Sequence, residues 1–354
     1  MPIVVDWESL QEFAARVFVK AGLPPRDAAT EAKVLVWANL RGVDSHGVLR
    51  IPSYVSSIEK GGMNPTPDIQ VVVDTPAMSL IDADWAFGPV VTTFAMERAI
   101  AKAQSVGIGW MLIRNTTHQG AMAYYALMAA RGGMAGLAAV CNPPNMAPYG
   151  ARVRGVHNSP LAIAVPGGRH PPLVLDMATS VAAGGKVSLA IDKGIAIPEG
   201  WALDKEGHPT TDPRAVGALL PFGGYKGSGL AMMLECLTSL FVGNPLLTRA
   251  LSGEPIHPGT QNSFVAAIDI APFTDLEGYR RNVDETVERI KALPKADGVD
   301  EIFVPGGPED RTYEDRVAGG IPLPDGTARN LREVAAKLDI PTPDWLQASS
   351  GDSA

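Results

Sequence analysis

The chain has 354 residues, of which 46% are apolar and 19% charged, and its formal net charge is -8. This length predicts two structural units, because single domains usually hold about 100–200 residues. The acidic balance argues against a nucleic-acid partner bound through phosphate neutralisation. The N-terminus lacks a basic segment followed by a long apolar run, and no stretch of about 18 apolar residues occurs. We therefore expect a cytoplasmic protein without a membrane partner.

The first 60 residues have helical periodicity. Trp7–Lys20 and Arg26–Leu40 carry apolar residues at three- and four-residue spacing, and a proline pair separates them. A third helix is predicted to begin after Gly47 and to end at the Gly61–Gly62 pair. The chain thus opens with a small helical bundle.

From about Ile69 onward, short apolar runs bounded by Gly, Pro, Asn or Asp predict strands. These runs are Ile69–Val73, Trp110–Ile113, Leu137–Val140, Leu161–Val165, Leu173–Leu175 and Phe264–Ile270. Helical spacing is found between and after them, at Pro89–Ser105, Ala121–Arg131, Gly229–Val242, Leu276–Leu293 and Asn330–Leu338. This order predicts an α/β or α+β unit in which helices cover a sheet.

The usual motifs of nucleotide, metal and serine chemistry are absent from the sequence. No GxGxxG follows a predicted strand, and there is no HExxH, zinc-ligand spacing or GxSxG. We therefore predict no metal site, and the motifs alone leave nucleotide binding undecided. Cys141 and Cys236 lie far apart without CxxC spacing, which indicates a reducing compartment, and Cys236 is predicted to be a buried residue in an apolar helix.

His46 and Arg50 lie four residues apart where the chain enters the third helix, so both can project from one face. An imidazole can pass a proton to a carbonyl oxygen, and a guanidinium can hold a carboxylate with two hydrogen bonds. The alternative is a structural loop histidine, with Asp44 or Ser45 capping the helix.

His118 and Asp176 each follow a predicted strand. Such junctions form ligand crevices in open sheets, and the helix after His118 offers backbone amides to an anion. An acid at position 176 could orient a ribose or a catalytic histidine. Both residues could instead belong to capping turns.

The glycine-rich segment Gly223–Gly229 leads into an apolar helix, so its amides and Lys226 could receive a phosphate. The alternative is a flexible loop with an exposed lysine. The remaining histidines lie in Pro- and Gly-rich loops and are predicted to be surface residues: His157, His170, His208 and His257.

Seven segments in order resemble the malate/L-lactate dehydrogenase family, which also contains ureidoglycolate, sulfolactate and diketogulonate oxidoreductases and cyclic imino-acid reductases. They cover nearly the whole chain: DSHGVLRIPSY from Asp44, IDADWAFGPV from Ile81, NTTHQGAMAYY from Asn115, NSPLAIAVPG from Asn158, LVLDMATS from Leu173, IPEGWALDKEGHPTTDP from Ile197 and LLPFGGYKGSGLAMMLE from Leu219. The sequence departs from the family pattern around His157–Pro160 and Val304–Gly307.

The resemblance implies a three-layer α/β fold with a mixed, largely antiparallel, non-Rossmann central sheet and a second, helical domain. It divides the chain into a first helical part at 1–70, a cofactor-binding α/β domain at 71–274, and a segment at 275–354 that returns to the helical domain. It also implies a homodimer with active sites near the subunit interface.

The resemblance further implies NAD or NADP as cofactor and hydride transfer at C2 of a small 2-oxo or 2-hydroxy carboxylic acid. His46 and His118 are then alternative proton donors, Arg50 binds the substrate carboxylate, and Ser45 and Tyr54 line the same pocket. The residues implied to face the dinucleotide are Asn142, Asp176, Met177, Ala178, Lys226, Pro305 and Gly306.

Two other functions fit the same residues. One is reduction of a cyclic imino acid such as piperideine- or pyrroline-2-carboxylate, whose C=N accepts hydride at the equivalent carbon. The other is a non-catalytic protein that binds a small acid or a nucleotide. The preference between NAD and NADP stays open, because the chain has no acidic residue at the usual Rossmann offset.

Overall fold

The computed structural model describes residues 3–347, apart from the side chains of residues 192 and 193, and shows a mixed α/β fold. Within that range the helices are α1 Trp7–Lys20, α2 Pro25–Leu40, α3 Ile51–Glu59, α4 Gly88–Val106, α5 Ala123–Arg131, α6 Gly184–Lys193, α7 Tyr225–Glu235, α8 Leu246–Leu251, α9 Leu276–Lys291, α10 Gly307–Gly319 and α11 Asp325–Lys337. The strands are β1 Ile3–Val5, β2 Gln70–Asp74, β3 Met78–Asp82, β4 Ile108–Thr116, β5 Met134–Cys141, β6 Leu161–Val165, β7 Leu173–Met177, β8 Ala202–Leu203, β9 Pro209–Thr210, β10 Ala218–Leu219, β11 Gln261–Asp269 and β12 Ile321–Leu323.

The central sheet has seven strands in the order β2-β3-β4-β11-β5-β6-β7. The β3–β4 pair is parallel and every other pair in this sheet is antiparallel. The prediction of a mixed, largely antiparallel sheet is therefore confirmed. Because β11 lies between β4 and β5, a strand from late in the chain forms the middle of the sheet.

Alternating side chains of the strands face two helical layers. Met111 and Ile113 of β4 join the core beneath α4 and α5, whereas Leu112 joins the core on the α7 side. Two glycines allow the close packing of the first layer. A Cβ on Gly109 would lie 2.0 Å from the carbonyl oxygen of Ala99 in α4, and one on Gly136 would lie 2.1 Å from that of Ala126 in α5.

A second core combines both ends of the chain. Phe13 of α1, Leu35 of α2 and Leu331 of α11 are fully buried together, and β1 pairs with β12 beside them. Helix α2 also places Val34 in the core beneath the sheet, so it connects the two cores. The division at residues 70 and 274 stays a prediction. Asp284 of α9 accepts hydrogen bonds from backbone N–H groups in the β6–β7 connection, so the C-terminal segment contacts the sheet as well.

The predicted solvent exposure of two residues is wrong. Cys236 is exposed, because it begins a π-helical turn at Cys236–Leu240 on the outer side of the molecule, where the neighbouring apolar side chains are exposed too. His157 was predicted at the surface but is fully buried, with its Nε2 3.3 Å from Oε2 of Glu235. A carboxylate from a distant helix supplies the partner that burial of a histidine requires. None of the helices in residues 3–347 is long and apolar enough to cross a membrane.

Candidate functional site

The segment with His46 forms two 3₁₀ turns, Asp44–His46 and Val48–Arg50, between α2 and α3. Asn39 of α2 ties these turns together. Its Oδ1 accepts a hydrogen bond from the backbone N–H of Val48 at 2.8 Å, and its Nδ2 donates to Oδ1 of Asp44 at 2.7 Å. A Cβ on Gly47 would lie 2.2 Å from Asn39 Oδ1, so only glycine leaves room for this amide.

Arg316 of α10 holds the same loop from the other end of the chain. Its Nη1 donates to Asp44 Oδ1 at 2.7 Å and its Nη2 donates to Oδ2 at 3.1 Å. Arg316 also donates to the backbone carbonyl of Asn39. Asp44 is therefore a salt-bridge partner, and α3 has no side-chain cap. The alternative in which Asp44 or Ser45 caps the helix is wrong, because Arg316 and Asn39 take up the carboxylate.

The structure brings His46 and His118 together. Their rings stack with centroids 5.3 Å apart and an interplanar angle of 22°. His118 lies in the loop between β4 and α5, and its Nδ1 is 2.5 Å from the Tyr54 hydroxyl and accepts from the backbone N–H of Gly120 at 3.3 Å. Because a backbone N–H can only donate, Nδ1 is an acceptor, and the proton of the neutral ring lies on Nε2.

Both histidines are neutral at neutral pH. Burial, followed by the charge of Arg50, lowers the pKa of His46 to about 4. Burial lowers the pKa of His118 well below its usual value, with further contributions from His46 and Arg50. Burial also raises the pKa of Tyr54 well above that of a free phenol. The buried Tyr54 and the two half-buried histidines therefore form an uncharged set beside one guanidinium.

Arg50 is fixed to the loop that carries His46. Its Nε donates to the backbone carbonyl of Ser45 at 2.7 Å, and the Ser45 hydroxyl is 2.9 Å from His46 Nδ1. Within residues 3–347, the terminal nitrogens of Arg50 have no hydrogen-bond partner. The sequence did not indicate that the start of α6 lies beside Ser45. A Cβ on Gly185 would lie 2.6 Å from Ser45 Cβ, so the uncapped first turn of α6 lies against this pocket.

A second group of predicted residues lies near the start of α5. Asp176 Oδ2 accepts a hydrogen bond from the N–H of Ala123 at 2.8 Å, so the carboxyl caps α5 rather than the segment that follows it. Desolvation of this carboxyl, with a smaller contribution from the charge of Glu309, raises the pKa of Asp176 to about 6, although part of the residue stays open to solvent. Pro305 lies beside it, because its carbonyl accepts from the N–H of Val174 at 3.2 Å.

The neighbouring Gly306 needs its glycine. It has φ of +88°, and a Cβ there would lie 2.8 Å from Cγ1 of Val174. Buried Arg41 donates to the Gly306 carbonyl at 3.4 Å and forms a salt bridge with Asp310. The structure therefore places Pro305 and Gly306 against β7, the strand that carries Asp176, and their contact with a dinucleotide stays a prediction.

Met177 ends β7 and Ala178 follows it, immediately before Thr179. A Cβ on Gly227 would lie 2.4 Å from the carbonyl oxygen of Thr179, so the first turn of α7, with the exposed Lys226, lies against this segment. Asn142 follows β5, and its Oδ1 is buried without a hydrogen-bond partner among the described residues. Asn158, which precedes β6 beside β5, is joined to Thr179 by a 2.8 Å backbone hydrogen bond, so the chain after β5 and the chain after β7 lie near each other.

A separate buried cluster contains Cys141, His157 and Glu235, with donor atoms within 4.8 Å of one another. Each group has a protein partner. Glu235 Oε1 accepts from the N–H groups of Leu246 and Leu247, and the Cys141 thiol lies 3.8 Å from the Ser159 hydroxyl. Burial raises the pKa of the Cys141 thiol. These contacts form a hydrogen-bonded core network without any added ion.

Comparison with known proteins is consistent with this geometry. The family model described as malate/L-lactate dehydrogenase matches residues 5–332. The L-sulfolactate dehydrogenase of Methanocaldococcus jannaschii is 37% identical over 98% of this chain and 100% of its own, and the ureidoglycolate dehydrogenase (NAD(+)) of Escherichia coli O157:H7 is 36% identical over 91% and 93%. The solved malate dehydrogenase from Pyrococcus horikoshii OT3 superposes with a TM-score of 0.87 at 36% identity, covering 96% of this chain and 97% of that one. The resemblance found in the sequence is thereby confirmed, and the chain belongs to the malate/L-lactate dehydrogenase family.

Proposed function

We propose that this chain transfers hydride between NAD(P) and C2 of a small 2-oxo or 2-hydroxy carboxylic acid. The observation that carries the proposal is the stacked His46–His118 pair beside Arg50. A proton donor and a carboxylate-binding cation are the two groups that reduction of a 2-oxo acid needs from the protein. The family relationship supports the same class of reaction.

In this proposal Arg50 binds the substrate carboxylate. Its Nε is already bonded to the Ser45 carbonyl, so the guanidinium plane is held in place while both terminal nitrogens face a ligand. The first amides of α6, beside Ser45, add the positive end of a helix dipole. A bound carboxylate would offset the charge of Arg50, which is one of the causes that lower the histidine pKa values. Substrate binding thus makes protonation of the site easier.

His118 is the favoured proton donor. The amide of Gly120 holds Nδ1 as an acceptor, which leaves the Nε2 proton to be donated to the carbonyl oxygen as hydride reaches C2. In the reverse direction Nε2 of the Nδ1-protonated tautomer accepts the hydroxyl proton while C2 loses hydride. His46 stacks on this ring and contacts Ser45, which suits a role in orienting the substrate oxygen.

The residues around Asp176 fit a dinucleotide bound without a GxGxxG turn. Asn142 Oδ1 is a buried acceptor that has no protein partner, and the backbone at Gly227 and Gly306 lies where a Cβ would collide with neighbouring atoms. The nicotinamide supplies or accepts the hydride when it is bound. The residues proposed to hold the cofactor are Asn142, Asp176, Met177, Ala178, Lys226, Pro305 and Gly306.

The test is a substrate screen with purified protein. Small 2-oxo acids and cyclic imino acids are each assayed with NADH and with NADPH by the loss of reduced-nicotinamide absorbance. We expect turnover of a 2-oxo acid, and Arg50→Lys should lower kcat/KM at least about 100-fold, because lysine keeps the charge but loses the two-pronged hydrogen bond. His118→Ala should lower kcat about 100-fold or more.

Each outcome of this screen has a distinct meaning. Turnover confined to cyclic imino acids would identify the chain as an imino-acid reductase. Binding of a reduced dinucleotide without turnover of any substrate would indicate a binding protein. Full activity of both the Arg50→Lys variant and the His118→Ala variant would show that these residues do not form the active site. Unchanged thermal melting of both variants serves as the folding control.

A further inference from the structure

Glu31 is a buried acid that the proposed chemistry has not yet used. It lies on α2, its residue is 0% exposed, and neither carboxyl oxygen has a hydrogen-bond partner among residues 3–347. Burial raises the pKa of Glu31 well above that of a free glutamate. Burial without a partner for either oxygen favours the protonated, uncharged form of this carboxyl. Such a group destabilises the fold unless it is satisfied, so its presence in the core needs an explanation.

Glu31 lies behind the loop that carries His118. Val34, one helical turn further along α2, is 3.4 Å from where a Cβ on Gly120 would stand. The charge of Glu31 is close enough to contribute to the raised pKa values of both Tyr54 and Tyr125. Tyr54 contacts His118 Nδ1 at 2.5 Å, whereas Tyr125 donates to the carbonyl of Gln119 at 2.5 Å.

Gln119, whose backbone carbonyl accepts from the Tyr125 hydroxyl, has a further polar atom without a partner. Nε2 of Gln119 is buried and, among the described residues, has no acceptor, while Oε1 of the same side chain accepts from Thr92 at 2.9 Å. Two carboxyl oxygens and one amide N–H that lack partners are the kind of groups that a buried water satisfies. A water there would connect the Glu31 carboxyl to the Tyr54 hydroxyl.

The state of His118 creates a need for a second acid. A neutral imidazole that gives up its Nε2 proton becomes an anion unless Nδ1 gains a proton at the same time. The Tyr54 hydroxyl can supply that proton, since it already contacts Nδ1. The resulting phenolate would be buried, and burial disfavours it strongly. An acid that supplies a proton to the Tyr54 oxygen avoids the formation of a buried phenolate.

We propose that Glu31 is the inner acid of a proton relay that runs through Tyr54 to His118, an inference that rests on the proposed function. The Glu31 proton passes through a bridging water to the Tyr54 oxygen, the Tyr54 proton moves to His118 Nδ1, and the Nε2 proton moves to the substrate oxygen as hydride reaches C2. After product release, Nε2 of His118 regains a proton from solvent, and the Nδ1 proton returns through Tyr54 and the water to the buried Glu31 carboxylate. The sum is one hydride and one proton added to the substrate.

The experiment compares Glu31→Leu and Glu31→Gln with Lys33→Leu, a substitution at an exposed position of the same helix. Removal of an unpaired buried acid should raise the melting temperature of Glu31→Leu. The same variant should lose about tenfold or more in kcat with little change in KM, because the relay acts only in the chemical step. Glu31→Gln keeps the shape and should show the same loss. Lys33→Leu should keep the wild-type kcat.

Two further readouts separate a relay from a structural role. The groups that face Glu31 are the Tyr54 and Tyr125 hydroxyls, with Arg50 near Tyr54. Wild-type kcat should fall at alkaline pH as Glu31 loses its proton, and the lower kcat of Glu31→Leu should lack that fall. In Tyr54→Phe the relay is already broken, so adding Glu31→Leu should cost no more activity.

The relay is overturned if both Glu31 variants keep the wild-type kcat and pH profile. It is also overturned if their losses simply multiply with that of Tyr54→Phe. Failure of the proposed function would look different, because the wild-type protein itself would then turn over none of the acids in the screen.

Discussion

His46 connects the chemistry of the site to the stability of the molecule. Its pKa falls from 6.5 to about 4 on folding, so between these values the unfolded chain binds more protons than the folded one. Stability therefore decreases as the pH falls through this window. The shift predicts a loss of about 2–3 kcal/mol in the free energy of unfolding between about pH 7.5 and about pH 4.5.

The measurement is urea unfolding of the wild type and of His46→Gln at both pH values. Glutamine cannot titrate, so between the two pH values the variant should lose about 2–3 kcal/mol less free energy of unfolding than the wild type. Titration of the carboxyl groups affects both proteins equally and cancels in the difference. Parallel losses in the two proteins would show that His46 is protonated just as easily in the folded state.

At the residue scale, the sequence indicated the chemistry of the site better than it indicated the hydrogen-bond partners of the site residues. The four-residue spacing of His46 and Arg50 was enough to suggest a proton donor beside a carboxylate clamp. The tautomer of His118 depends on the Gly120 amide and the Tyr54 hydroxyl, and the second of these lies 64 residues away. His157 was misplaced for the same reason, since its buried partner Glu235 is 78 residues away.

At the element scale, α10 positions the loop between α2 and α3 that carries His46. Arg316 holds both oxygens of Asp44, and the salt bridge spans 272 residues of sequence. We predict that Arg316→Ala lowers kcat about tenfold, because the loop that carries His46 loses its outer support while Asn39 still holds its inner side. Arg316→Lys should recover part of the loss.

A double-mutant cycle with Asp44→Asn checks this contact. The two substitutions should couple by about 0.5–3 kcal/mol in both activity and unfolding, as interacting neighbours do. A matched control is Arg311→Ala, since Arg311 of the same helix pairs with Glu301 away from the loop. Additive effects of Arg316→Ala and Asp44→Asn would show that the salt bridge does not support the loop.

The elements that the sequence predicted are those with a strong local pattern. Strand β6 was predicted with its observed bounds, and α1 also matches, because alternating or helical apolar spacing was unbroken there. The sequence pattern did not predict the short strands β1 and β12, because each has three residues and pairs with the opposite end of the chain. Helix α6 begins with two glycines, which predict a loop by composition.

At the scale of the whole molecule, the candidate site lies where the two cores meet. Helix α2 belongs to both of them, and it carries Asn39 at its end and Glu31 in its middle. The residues that support the site therefore come from elements that a local pattern cannot connect. The sequence alone could predict the presence of a helical core and a sheet, but their junction follows from packing.

The outer face of α7 and the π-helical turn after it is apolar and uncovered. Met232, Met233, Leu240 and Phe241 are 55%, 57%, 47% and 58% exposed, and the eight-residue spacing between the two pairs keeps them on one side. Exposed apolar patches of this kind mark interaction surfaces. Together with the resemblance, this face leads us to propose a homodimer that buries it.

Sedimentation or light scattering should then give twice the chain mass, and Met233→Glu combined with Phe241→Glu should give monomers, because two carboxylates would have to be buried on association. Phe273→Glu is the control, since Phe273 is 81% exposed in a different part of the chain. Because the first turn of α7, which contains Lys226, lies beside the segment after β7, the monomeric variant should also bind the reduced dinucleotide more weakly. A wild-type protein that sediments as a monomer would leave this apolar face to another partner.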